Sequence, residues 1–198
     1  MSSATLLRLS GLAAIVGGTL FALAEIAEAI ISPENQPLTQ RFAAPGLPVV
    51  EAAQWLASVL LLLGLTGLYV RQSQKAGSFG LVAFLAAFVG TALNVGSLWS
   101  GALLLPPLAQ AAPAFLDSLT TNPPGALGIG LLISFFLFPL GWILFGVASL
   151  LAKVFSRWAV LLVMIGLLLV PFIPIAPAAL VGAGLVWMGY AVWTTQDL

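Results

Sequence analysis

The chain has 198 residues, 61% hydrophobic and 6% charged, with six basic and six acidic side chains and a mean hydropathy of +1.15. A soluble domain carries roughly 25% charged residues, so this chain cannot cover a globule with polar surface, and its solvent is lipid. Zero net charge offers nothing to nucleic acid, and with no cysteine and no histidine the chain lacks disulfides, thiolate chemistry, Fe–S ligation, the commonest metal ligand and the commonest general base; no cofactor is expected.

A membrane-crossing helix needs about 20 mainly apolar residues. Six stretches qualify, at about 9–31, 49–71, 79–105, 126–152, 157–173 and 176–195, the fifth being short. They predict an all-α polytopic membrane protein, one transmembrane domain over 1–198, with two longer loops at 32–48 and 106–125. The first stretch has Arg8 ahead of it and a small-x-small triplet at Ala27-Glu28-Ala29, as a secretion signal would. Its apolar run exceeds the usual 7–15 residues of a signal, so it reads as a retained helix.

That helix holds Glu25 and Glu28 in "FALAEIAEAIISPE", residues 21–34. An acidic residue at the centre of a spanning helix costs roughly 2.5–3.5 kcal/mol. At 1.5 Å per residue Glu28 lies about 4–5 Å from the helix end and Glu25 about 9 Å in. Glu28 therefore reaches the headgroups, whereas Glu25 is expected to face the protein interior, neutral or paired. The i,i+3 spacing stacks both on one face.

The loop 32–48 carries Arg41, and Glu51 and Gln54 open the second stretch. One cation serving Glu25, Glu28 and Glu51 leaves an excess of negative charge, which suits a cationic ligand or a metal ion; the blander role is a charge network pinning the loop. Asn94, near the middle of the third stretch, needs a hydrogen-bond partner on another helix and is expected to join helices or line a cavity. In the loop 106–125, "APAFLDSL" (112–119) predicts a short interfacial helix with Phe115 and Leu116 down and Asp117 up. Both loops mix proline with apolar residues and are expected to pack over the mouth of the bundle. Pro139 should kink the fourth helix, and Pro171, Pro174 and Pro177 should make the last reversal tight. Trp158 and Trp193 fit one aromatic belt, with Trp55 and Trp99 near the other boundary.

The chain also repeats itself. "AAIVGGTL" (13–20), "AAFVGTAL" (86–93) and "LVMIGLLL" (162–169) align Gly17, Gly90 and Gly166. "GLTGLYVR" (64–71), "GVASLLAK" (146–153) and "GYAVWTTQ" (189–196) align Gly64, Gly146 and Gly189, and bring Arg71 onto Lys153. The unit is a helical hairpin used three times. Basic residues favour cytoplasmic loops. With both termini cytoplasmic, Arg8, Arg71, Lys75, Lys153 and Arg157 fall inside and Arg41 outside; Glu25, Glu28, Glu34, Glu51 and Asp117 fall towards the outside and Asp197 inside. Hairpins ending in "GLYVRQ"-like turns (67–72) resemble those of many small bacterial polytopic membrane proteins. That resemblance implies a multi-pass protein of the bacterial inner membrane, carries no residue-level motif, and transfers no function.

Two functions follow from the sequence. One is a membrane protein binding or transporting a small cationic or lipid-like ligand in an outward-facing pocket made by Glu25, Glu28, Glu51, Gln54, Asn94 and Arg41 under the two loops. The alternative is a non-catalytic subunit of a membrane complex, or a homo-oligomeric scaffold. Phosphate loops, nucleophile elbows and metal-ligand spacings are absent, so an enzyme is not expected.

Overall fold

The computed structural model describes residues 3–32, 36–121, 123–170, 172–173 and 175–194. Glu34, Pro171, Pro174, Asp197 and the end of the "GYAVWTTQ" segment lie outside the described residues. The described chain is helical: α1 (Ser3–Ile31), α2 (Leu38–Ala43), α3 (Leu47–Trp99), a π-helical turn at Ser100–Leu104, α4 (Leu105–Ala111), α5 (Pro113–Thr121), α6 (Gly125–Ala152), α7 (Arg157–Leu169) and α8 (Ile175–Trp193). Among the described residues, four segments are long and apolar enough to cross a membrane: α1, the run from Leu47 to Ala111, α6 and α8. Helix α7, with 13 residues, is shorter.

The chain reverses inside α3. A straight helix would hold Tyr69 and Phe84 about 22 Å apart, yet their rings stack with centroids 4.3 Å apart. The reversal is at Gly77, whose φ of 59° and ψ of −156° belong to a region open essentially to glycine alone. The sequence suggested a gap between helices over 72–78. Instead the helix runs on from both sides to one glycine.

The two arms of α3 have different neighbours. The first packs on α1 so closely that a Cβ at Gly64 would lie 2.8 Å from Ala14. The second packs on α6, where a Cβ at Gly141 would lie 2.6 Å from Ala87. Helix α1 also touches α8, at Gly11, Gly18 and Gly189, and α8 touches α7 at Gly166 and Gly184. Lipid supplies no hydrophobic drive between helices, so van der Waals contact between close backbones holds them, and small residues permit that approach. Gly17 abuts the first arm of α3, Gly90 abuts α6 and Gly166 abuts α8, in each case the next long apolar segment. Gly64 and Gly189 face α1, and Gly146 faces α7.

Phe21, Leu61, Phe138, Trp142, Val163 and Leu185 converge on the axis and leave essentially no space there for a water molecule. Several polar groups in this interior meet each other, although Gln72 Nε2 has no partner among the described residues. Trp142 Nε1 donates to Thr91 Oγ1 at 2.9 Å, and Ser149 Oγ lies 2.6 Å from Gln72 Oε1. Towards the end where Ser10 meets Gly67 and Gly11 meets Trp193 lie Arg8, Arg71, Lys153 and Arg157. Arg41 lies at the opposite end with Glu28 and Glu51.

At that opposite end Phe42 of α2 and Leu47 at the start of α3 cluster with Ala109 of α4 and Leu116 of α5. The backbone N–H of Thr39 donates to Asp117 Oδ1 at 2.9 Å, and Thr39 Oγ1 donates to the Pro113 carbonyl at 3.1 Å. Phe115 and Leu116 do not point the same way: Leu116 is fully buried and Phe115 is 53% exposed. Neighbouring residues on a helix diverge by about 100°, so the expected shared orientation fails on helix geometry.

Helix α6 continues through Pro139, and burial changes there. No residue from Gly125 to Leu140 is buried, whereas Gly141, Trp142, Phe145, Gly146 and Ala148 are. Gly130 has no neighbouring atom within 4 Å of its Cβ direction. The start of α6 therefore has few neighbours, and close packing on α3 begins at Leu137 and Phe138, which abut Gly90.

Candidate functional site

Five of the six residues singled out from the sequence meet at the Arg41 end. Helix α1 presents Glu25 and Glu28 from successive turns, α2 brings Arg41 over them, and the first turns of α3 supply Glu51 and Gln54. Arg41 Nη2 donates to Glu28 Oε1 and lies 3.8 Å from Glu51 Oε1. Gln54 Nε2 donates to Glu25 Oε1 at 3.2 Å and also to Glu28 Oε2. Glu51 and Gln54 are buried, at 5% and 2% exposure; Glu25 and Glu28 are half-buried.

Asn94 stands apart from this network. Its Nδ2 donates to Ser58 Oγ at 3.2 Å, tying the two arms of α3 together. It still shares a cavity with Glu25 and Gln54, of about 410 Å³. Phe21, Leu98, Phe138 and Leu167 supply part of the apolar wall, which comes from α1, α3, α6 and α7. The loops contribute differently from expectation: Arg41 reaches the acidic cluster, but none of the described residues of 32–48 or 106–125 lines the cavity. Trp55 and Trp99 do not line it either.

The π turn touches the cluster. Pro106 and Pro107 follow it and have no N–H to donate to the preceding turn; a widened turn absorbs that loss. It places Gly101 against the Glu51 carboxylate with no room for a β-carbon between them. Sequence reasoning missed this contact, and the proline pair after a helical stretch was its signal.

Chemically, the site is one guanidinium shared by two carboxylates, next to a third carboxylate whose recorded partner is an amide. The second oxygen of Glu25 accepts no hydrogen bond among the described residues. No group of three or more acidic side chains among the described residues is gathered in a way that could hold a metal ion. No protein-family model, curated protein or solved structure matches the chain.

Proposed function

We propose that the protein crosses a cell membrane six times, with both termini cytoplasmic, and binds a small ligand bearing positive charge in the cavity beside Glu25. The reversal at Gly77 supports counting α3 as two crossings, with α7 as a short fifth. The collection of Arg8, Arg71, Lys153 and Arg157 at one end supports placing that end inside. The three-hairpin repeat draws support from Gly17, Gly90 and Gly166, each seated against the next long apolar segment. The second glycine set does not share one kind of partner, so the repeat rests on the first.

One observation carries the binding reading: an apolar cavity of about 410 Å³ ends at a carboxylate and two amides. Ligand pockets commonly occupy about 300–1,000 Å³, mostly apolar with a few converging polar groups. The filled axis favours a binding protein over an open channel, because a through-passage would need Phe21, Leu61 and Trp142 to move.

The test is purification in native membrane nanodiscs, followed by mass analysis of bound small molecules. A cationic species enriched over the bulk lipid, and depleted in Glu25→Gln, is the expected result. A preparation with no enriched small molecule, and a stoichiometric second protein in its place, would establish the scaffold alternative instead.

A further inference from the structure

We infer that the cavity opens sideways into the bilayer and takes a lipid-soluble organic cation, an alkylammonium amphiphile, whose head reaches Glu25 while its chain stays in lipid between α6 and α7. This inference rests on the binding reading above and adds the ligand class and the route.

The route follows from exposure. Phe135, Phe136, Leu140 and Leu168 line the cavity, yet they are 62%, 61%, 51% and 56% exposed. Side chains that both line a cavity and face the surrounding lipid mark its opening. The first half of α6 forms one side of that opening and packs against nothing beyond its own segment at Gly125, Gly128 and Gly130. Pro139 follows Leu137 and Phe138, where α6 first packs closely on α3. On the axis the side chains close the space, so no second route leads towards the Arg8 end.

The ligand class follows from charge. The polar end of the cavity is made by Glu25, Gln54 and Asn94, with Ser134 nearer the opening, and no Lys or Arg lines it. The nearby cation, Arg41, is engaged by Glu28 and Glu51. A phospholipid head would bring its phosphate into a space with no positive partner. A lone ammonium head meets the Glu25 oxygen that accepts no other bond. The rings of Phe21, Phe135, Phe136 and Phe138 line the same space, and aromatic faces attract alkylammonium groups.

The test uses the full chain in nanodiscs of neutral lipid, with octyltrimethylammonium, hexadecyltrimethylammonium and neutral hexadecanol as probes. Occupancy is expressed against each probe's mole fraction in the disc, which removes simple partitioning. Both cations should bind within about threefold of each other, and hexadecanol about tenfold or more weaker, the scale of one charge interaction lost from a dry site. Glu25→Gln, nearly isosteric and expected to keep the melting temperature, should weaken both cations by about tenfold or more. Leu168→Trp narrows the opening without touching the polar end and should weaken the hexadecyl probe more than the octyl one. Octyl binding with the hexadecyl probe excluded overturns the lateral route and leaves the pocket standing. Hexadecanol binding as tightly as the cations overturns the ligand class alone. Failure of both cations to bind, or binding indifferent to Glu25→Gln, overturns the pocket reading together with this one.

Discussion

Glu25 shows how a rare charge in an apolar chain announces its own surroundings. A carboxylate at that depth facing lipid is opposed by a few kcal/mol; against Gln54 it has a donor at 3.2 Å. Glu25→Gln keeps the shape and a hydrogen-bonding head, so unfolding free energy should change by less than about 0.5 kcal/mol. Glu25→Leu takes away one of the two carboxylates to which the Gln54 amide donates, and should cost about 1–3 kcal/mol in a denaturant titration in detergent. Arg41→Ala should cost about 2 kcal/mol, because it leaves the buried Glu51 carboxylate without its cation. That is below the 3–5 kcal/mol of a fully buried pair, since the guanidinium is 35% exposed and part of its effect is screened. A neutral response to Arg41→Ala would remove the charge network from the account of how α2 is held. The acidic cluster was legible because charges are scarce and each had to be placed. Ser58, Gln72, Thr91 and Ser149 were not, although all four are buried and each has a side-chain partner, Gln72 through its Oε1 alone. Serine and threonine can satisfy themselves on their own helix, as Thr91 Oγ1 does on the Ala87 carbonyl at 2.7 Å, so their sequence positions carry little information about partners.

Among the elements, α3 and α6 show what glycine and proline did and did not reveal. Hydropathy located both arms of α3, but not that a single residue turns the chain. At Gly77 any side chain meets the backbone strain of φ 59°, ψ −156°, so Gly77→Ala should cost about 1–3 kcal/mol although the surrounding space is open. Loss smaller than the spread of repeat denaturant titrations would mean that the turn relaxes into another conformation. On α6 the same substitution should have two outcomes on either side of Pro139. Gly141→Leu drives a side chain into Ala86 and Ala87 of α3 and should destabilise by at least about 1–3 kcal/mol, as overpacking does. Gly130→Leu meets nothing within 4 Å and should change stability by less than about 0.5 kcal/mol. The sequence marks both positions as glycine in an apolar helix and cannot tell them apart; the difference lies in which half of α6 has neighbours. Pro139 pointed to the division, but the extent of the sparsely packed start depends on packing that local pattern does not encode.

At the scale of the molecule, the number of crossings and the direction of threading stand or fall on the reversal at Gly77. Counted as one unbroken helix, the 65 residues from Leu47 to Ala111 would run about 97 Å at 1.5 Å per residue, some three times the roughly 30 Å hydrocarbon core. Folded at Gly77, each arm is of spanning length, and the exposed Gln74, Lys75 and Ser78 sit at the turn. In the proposed threading the turn reaches water on the side that holds Arg8 and Lys153, and α5 lies on the other. A chain without cysteine accepts single reporters against no background. Thr120→Cys, exposed on α5, should react in intact cells with a thiol reagent that cannot cross the membrane. Ser78→Cys should react only after the membrane is opened. The reverse pattern would invert the threading and leave the fold intact. Reaction of neither, even in opened membranes, would put both sites out of reach of water and require another reading of α3.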